Sequence, residues 1–214
     1  MTYKDVYNSW KSNPEAFWMD QANAIDWVKP PSRALNDDNA PLYEWYSDAQ
    51  VNTCYNAVDR HVENGRGDQT AIIYDSPITG TKGKTSYAEL QTQTATLAGA
   101  LRDKGITKGD RVIIYMPMVP QALVAMLACA RIGAIHSVVF GGFAANELAV
   151  RIDDATPKAI IAGSCGVEPG RVVAYKPLLD GAIELATHKP DFTVILQREQ
   201  GPCDLTPDRD YDWH

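Results

Sequence analysis

Apolar and polar positions alternate in two textures along the chain, and the later one is the more regular. Residues 53–63 place Tyr55, Val58 and Val62 at spacings of three and four, the period of a short helix. Residues 70–74 are rich in β-formers, Pro77, Gly80 and Gly83 punctuate a turn, and a second short strand reaches Lys84 and Thr85, which predicts a hairpin. Tyr87, Leu90, Thr94, Leu97, Ala98 and Leu101 then share one helix face behind Ser86, whose hydroxyl lies three residues before Glu89 in capping-box spacing. Gly105 supplies the left-handed stop. Beyond it the period switches repeatedly: strand 111–116, helix 120–131 ending at Gly133, strand 134–140, helix 145–154, strand 159–162, helix 176–187 and strand 192–196. Strand and helix in strict succession, with strands apolar on both faces, imply parallel β-α-β crossovers. The predicted class is α/β, a parallel sheet with flanking helices. Residues 197–214 are polar, contain Pro202 and Pro207, predict no closing helix and read as an interrupted end.

The first fifty residues do not share this rhythm. Trp10, Phe17, Trp18, Trp27 and Trp45 are crowded between Pro14, Pro30, Pro31 and Pro41. Aromatics at that density favour burial, while the prolines forbid long regular elements. Residues 1–52 are expected to form an irregular helical and loop extension strapped across the larger part, 53–214, with a binding arm as the alternative.

Composition narrows the functional classes. With 214 residues, 45% apolar and 22% charged, the chain has enough material for a real core and is not dominated by disorder. The net charge of −7, with no dense basic run, argues against nucleic acid as a partner, so the default ligand is a small molecule. No window is long and apolar enough to span a bilayer, and the first ten residues carry no export pattern. Cys54, Cys129, Cys165 and Cys203 form no C-x-x-C pair, and His61, His136, His188 and His214 have no ligand spacing, so no metal site is expected. A reducing cytoplasmic setting fits these features. Cys129 reads as a small buried hydrophobe, and His136 as a hydrogen-bonded residue in a buried strand.

Three segments carry candidate chemistry. The run from Gly80 to Thr85 ends like a phosphate-binding P-loop, but the required first glycine is Ile78 and the segment belongs to a hairpin, so it is read as a turn. Phe140-Gly141-Gly142-Phe143 follows an apolar strand and precedes a helix, where glycines let backbone N–H groups approach a ligand at the carboxyl edge of a sheet. Residue chemistry alone leaves open whether this is a ligand-facing turn or a tight turn needed for packing. Glu168-Pro169-Gly170-Arg171 lies in a predicted loop between strand and helix, and Arg171 is either a solvated loop residue or a guanidinium fork for a phosphate. Ser86 is a helix cap rather than a nucleophile, and no general acid–base pair can be assembled, so no catalytic residue is named.

Taken together, several segments resemble the adenylate-forming enzymes. Residues 85–90, Thr-Ser-Tyr-Ala-Glu-Leu, resemble their first core motif, and residues 127–134, Leu-Ala-Cys-Ala-Arg-Ile-Gly-Ala, their second. The continuation to Phe143 and the aromatic beginning are similar to the short-chain acyl-CoA synthetases, which act on acetate or propionate. The likeness covers essentially the whole chain, although members of that family are considerably longer, so an N-terminal portion is expected. The resemblance implies ATP, CoA and Mg²⁺ as cofactors of the complete enzyme, a short-chain carboxylate as substrate, and catalytic groups beyond His214. By position it implies that Phe140, Gly141 and Gly142 lie along the CoA nucleotide and Arg171 near its 3′-phosphate. Glu168 departs from the pattern, since acetyl-type relatives commonly have a basic residue there. Either Glu168 turns away or the ribose phosphate sits differently. The stretch from Glu168 to Asp180 looks closer to propionyl-type synthetases. The alternatives are a stand-alone non-catalytic nucleotide- or CoA-binding module, or an adenylating enzyme with a non-CoA acceptor. Oligomeric state is left open.

Overall fold

In the computed structural model, which describes residues 2–214, the chain divides into one unit ending at Asn56 and a larger one beginning at Ala57.

The first unit is built from short pieces tied by side chains. Helix α1 (Tyr3–Ser12) opens on a capping box between Thr2 and Asp5, and α2 (Pro14–Ala22) on Asn13, with Pro14 at the first helical position where no N–H is missed. Strand β1 (Trp27–Lys29) is antiparallel to β4 (Gln50–Val51), and β2 (Leu35–Asn36) to β3 (Glu44–Trp45). The Trp27 indole N–H donates to the Ala22 carbonyl at 2.8 Å, and the Tyr46 hydroxyl to the Trp18 carbonyl at 2.9 Å. The irregular helical and loop texture predicted here is present. Burial of its tryptophans is not: Trp18 is 36% exposed and Trp45 51%.

The helix expected over residues 53–63 runs across the boundary between the units, is widened to a π-type turn at Tyr55–Asp59, and breaks within Val62–Arg66, where Asn64 and Gly65 (φ +78°) leave helical conformation. Strands β5 (Thr70–Ser76) and β6 (Thr81–Ser86) form the predicted hairpin, except that Gly83 lies within β6 opposite Tyr74 rather than in the turn. Helix α3 (Tyr87–Asp103) starts on the expected cap: the Ser86 hydroxyl accepts from the Glu89 N–H at 3.2 Å, and the Glu89 carboxylate accepts from the Ser86 N–H at 2.7 Å. Five of the six positions assigned to its inner face, Leu90, Thr94, Leu97, Ala98 and Leu101, are buried.

The core is a five-stranded parallel sheet. Its strands are β7 (Arg111–Met116), β8 (Ile135–Phe140), β9 (Ala159–Gly163), β12 (Phe192–Leu196) and β13 (Asp210–Asp212), in the order β13-β12-β9-β7-β8. Between them run α4 (Pro120–Ile132), α5 (Ala145–Ala155) and α6 (Lys176–Leu185). Ile113 and Tyr115 of β7 cluster with Leu148 and Ile152 of α5 and Leu179 and Ala182 of α6. Alternation therefore turns Val112, Ile114 and Met116 to the opposite face, and all are buried. Both faces of the central strands are covered, as their continuous apolar runs predict.

Three expectations are corrected. Strand β8 is at the sheet edge and is largely exposed, with Ile135 and Val138 each at 55% and Phe140 at 71%; His136 is exposed with them and is not a core residue. Residues 165–174 form a hairpin, β10 (Cys165–Glu168) and β11 (Arg171–Ala174), rather than a loop. The polar tail supplies β13, held by a buried charge cluster: Asp210 accepts from the Thr193 hydroxyl at 2.7 Å and pairs with Lys176 at 3.0 Å and with Arg209 at 2.6 Å. Burial opposes the Asp210 charge, but hydrogen bonds from Arg209, Thr206, Thr193 and Lys176 outweigh it and hold the carboxyl well below its usual range. No helix among the described residues is long and apolar enough to cross a membrane.

Candidate functional site

The crossover from β7 runs through α4 to β8 on one side, whereas the chain beyond β9 continues to β12 on the other. Connections diverge at the carboxyl ends of β7 and β9, the place where open α/β sheets form ligand crevices. There, a β-carbon on Gly163 would stand 3.0 Å from the Pro117 ring, so the backbone after β9 closes directly on the residue after β7.

The turn after β8 is shaped by two tyrosines that the residue pattern did not single out. The Tyr115 hydroxyl donates to the Phe143 carbonyl at 2.9 Å and accepts the Gly142 N–H at 3.2 Å, while burial pushes its phenol up to about 12. Tyr175, at the start of α6, packs its ring 5.2 Å from that of Tyr115. A β-carbon on Gly141 would fall 2.8 Å from both the Met116 carbonyl and the Tyr175 ring, and Gly142 has φ +92°, the left-handed region. Packing thus accounts for both glycines, and the Gly142 N–H is already engaged. Phe140 stays largely exposed beside the turn, with its ring 5.6 Å from that of Phe143.

The same Tyr175 reaches the base of the β10–β11 hairpin. A β-carbon on Gly166 would lie 2.2 Å from its hydroxyl, inside any contact radius. At the hairpin tip, Gly170 takes φ +77° and sets Glu168 opposite Arg171. Arg171 donates through Nε and pairs through Nη2 with the same Glu168 Oε2, each at 2.7 Å, and both side chains are largely open to solvent. Glu168 therefore does not turn away; it neutralises the guanidinium. A surface depression of about 470 Å³ surrounds this pair, lined by Ile78 and residues 167–172.

Tyr115 and Tyr175 thus join the glycine turn to the base of the hairpin that carries Arg171. The other singled-out residues lie elsewhere. Lys82 of the P-loop-like run pairs with Asp75 at 2.9 Å within the β5–β6 hairpin. Burial pushes the Cys129 thiol up to about 12, in keeping with an inert core residue. Among the described residues, no group of His, Cys, Asp and Glu gathers in a way that could hold a metal ion. One signal for the tyrosines was present in the sequence: Tyr115 is the single hydroxyl-bearing residue in the strand Arg-Val-Ile-Ile-Tyr-Met.

Comparison with known proteins gives a consistent assignment. Residues 58–209 match the model of the AMP-binding enzyme family, and residues 3–57 that of the acetyl-coenzyme A synthetase N-terminus. The chain is 50% identical over 212 residues to human acyl-CoA synthetase short-chain family member 3, mitochondrial, which aligns 99% of this chain with 31% of that protein. It is 39% identical over 213 residues to the propionate–CoA ligase of Escherichia coli, aligning 100% of this chain with 34% of the ligase. Its fold superimposes on acetoacetyl-CoA synthetase from Streptomyces lividans with a TM-score of 0.82 at 25% identity, over 96% of this chain and 31% of that one. The chain spans about a third of the length of the curated relatives it matches.

Proposed function

The chain belongs to the AMP-binding enzyme family, and on that premise we propose that it is the opening part of an ATP-dependent acid–thiol ligase that activates propionate or acetate and transfers the acyl group to CoA. The observation that carries this reading is identity of 39% or more, across essentially the whole chain, with relatives named propionate–CoA ligase and short-chain acyl-CoA synthetase. A carboxylate is a poor electrophile. In the first step its oxygen attacks the α-phosphorus of ATP, the bond to the β-phosphate oxygen breaks, and pyrophosphate leaves. In the second, the thiol sulfur bonds to the acyl carbon, AMP departs with the electrons of the broken C–O bond, and the thiol proton passes to solvent. Mg²⁺ would offset phosphate charge during the first step, but the described residues gather no ligand set for it, so no step through the metal is assigned to this chain.

In this proposal Phe140 offers its exposed ring face along the CoA nucleotide, Gly141 and Gly142 leave the turn free of side chains, and Arg171 meets the 3′-phosphate. A charge-assisted hydrogen bond contributes roughly 1.5–3 kcal/mol, or about ten- to a hundredfold in affinity. Because Glu168 already occupies the guanidinium, Arg171→Ala in the complete protein should weaken CoA use near the lower figure, with acyl-adenylate formation unchanged. Equal loss in both half-reactions would remove Arg171 from the thiol site. The whole activity is tested by AMP release from acetate, propionate and butyrate with ATP and CoA; no release with any of these acids would defeat the ligase reading. The four free cysteines support a reducing compartment, the cytoplasm in this proposal.

A second reading, with an acceptor other than CoA, is favoured by the Glu168–Arg171 pair, which leaves no net positive charge at the hairpin tip. It predicts acyl-adenylate formation with thioester made from neither CoA nor dephospho-CoA, whereas the first predicts thioester formation with a preference for CoA.

A further inference from the structure

The first unit contains a cleft of about 670 Å³ whose lining combines Trp10, Trp18 and Trp45 with Leu35, Glu15 and Asp37. The three indoles are 36%, 36% and 51% exposed, and Trp18 meets Trp45 edge to face at 5.4 Å, so they stand as ordered walls around open space. Exposed tryptophans concentrated in one concave surface mark a binding site more often than a chance excess of apolar area. The carboxylates decide the kind of occupant. Glu15 is fixed in place by the Ala34 N–H, which donates to it at 2.6 Å, and Asp37 stands on the same lining. Among the described residues no lysine or arginine lines the cleft, and Arg33, next to Ala34 in sequence, is paired with Asp38 at 2.8 Å. The positive end of α2, which opens here, is already met by the Asn13 side chain, which accepts the Ala16 N–H at 3.0 Å. Residues 1–56 hold eight carboxylates against four basic side chains, so the surrounding field has the same sign as the lining.

We infer that this cleft binds an arginine side chain presented by an extended polypeptide segment. Aromatic faces attract cations through their quadrupole, and guanidinium is the cation that can lie flat on an indole while its edge donates to a carboxylate. It is also more weakly hydrated than an ammonium group and loses less on entering an apolar slot. The volume exceeds what one side chain needs, which leaves room for the neighbouring residues of the segment. This site is formed by residues of the first unit alone, and the proposal does not depend on the ligase reading.

The test uses the 214-residue chain labelled at its indole nitrogens and three matched capped tripeptides, Ala-Arg-Ala, Ala-Lys-Ala and Ala-norleucine-Ala. The arginine peptide should shift the indole N–H signals of Trp10, Trp18 and Trp45 with millimolar affinity and leave those of Trp27 and Trp213 in place. The norleucine peptide should bind at least about fivefold more weakly, and Asp37→Asn should weaken the arginine peptide about two- to fivefold, the range of one exposed cationic contact. Asp37 is exposed, so this variant keeps the fold and separates recognition from stability. Equal binding of arginine and norleucine peptides would make the cleft a plain apolar groove, and a tighter lysine peptide would overturn the guanidinium assignment. Absence of any shift up to ~50 mM peptide, far weaker than millimolar binding, would overturn the site itself.

Discussion

The two units of this chain reach order by different means. Up to Asn56, buried positions among the described residues are confined to Ala22, Ala34 and Cys54, and the backbone is held by side chains that reach across short gaps: Asn13 to Ala16, Glu15 to Ala34, Trp27 to Ala22, Tyr46 to Trp18. From Ala57 onward, strands more than thirty residues apart in sequence lie side by side, as in Ile113 against Ile160 and Ile160 against Thr193, and aliphatic side chains fill the space between sheet and helices. Where apolar area is scarce, each polar tie carries a large share of the order. Where it is plentiful, polar groups matter chiefly when they are buried and charged.

That contrast is sharpest at Asp210. Its side chain is fully buried between Lys176 and Arg209, which also share the half-buried Asp180, so Asp210→Ala should leave two cations on one carboxylate and cost about 3 kcal/mol, the lower end for breaking a buried pair, read as a lower urea midpoint followed by tryptophan fluorescence. In the first unit, Trp27→Phe removes one hydrogen bond to the Ala22 carbonyl and should cost about 1–2 kcal/mol. It should speed amide exchange in β1 and β4 and leave β7 and β9 as they were; uniform acceleration would break the distinction drawn between the units. Thr94 tests the second unit in the opposite direction. Its hydroxyl is fully buried and makes no hydrogen bond, so Thr94→Val should raise stability by about 1 kcal/mol, and a loss instead would mean that the hydroxyl has a partner such as a buried water. The smallest effect is acidic. The Lys158 ammonium, with help from the Thr107 backbone, holds the Asp110 carboxyl at about 2, below its unfolded value of 3.8. The stabilisation is complete above pH 4 and is lost as pH falls toward 2, so Asp110→Asn should flatten that part of the stability curve.

Much of the larger unit was legible because its residues report their own surroundings. Strands β7 and β12 fall where the apolar runs predict, and α3 begins at its capping serine. What could not be read locally is what depends on a distant partner. The Asp-Tyr-Asp of β13 has little strand character and is ordered by the open edge of β12 and by the cluster around Lys176. The apolar composition of β8 reads as interior, but its place at the end of the sheet order leaves it exposed. At the candidate site, the glycines of 141 and 142 are visible as glycines, whereas Tyr115 and Tyr175 act on them across 27 residues or more in sequence, and beyond the lone hydroxyl in the apolar strand of Tyr115 nothing local marks them. Glu168 and Arg171 sit three apart in sequence, but only the Pro169-Gly170 turn sets them face to face.

The Tyr175 ring has a consequence for how this sequence can vary. One phenol fills the space that side chains at both 141 and 166 would need, so neither glycine can acquire even a methyl group while the phenol remains. A smaller residue at 175 would release position 166 alone, because the Met116 carbonyl would still stand 2.8 Å from a β-carbon at 141.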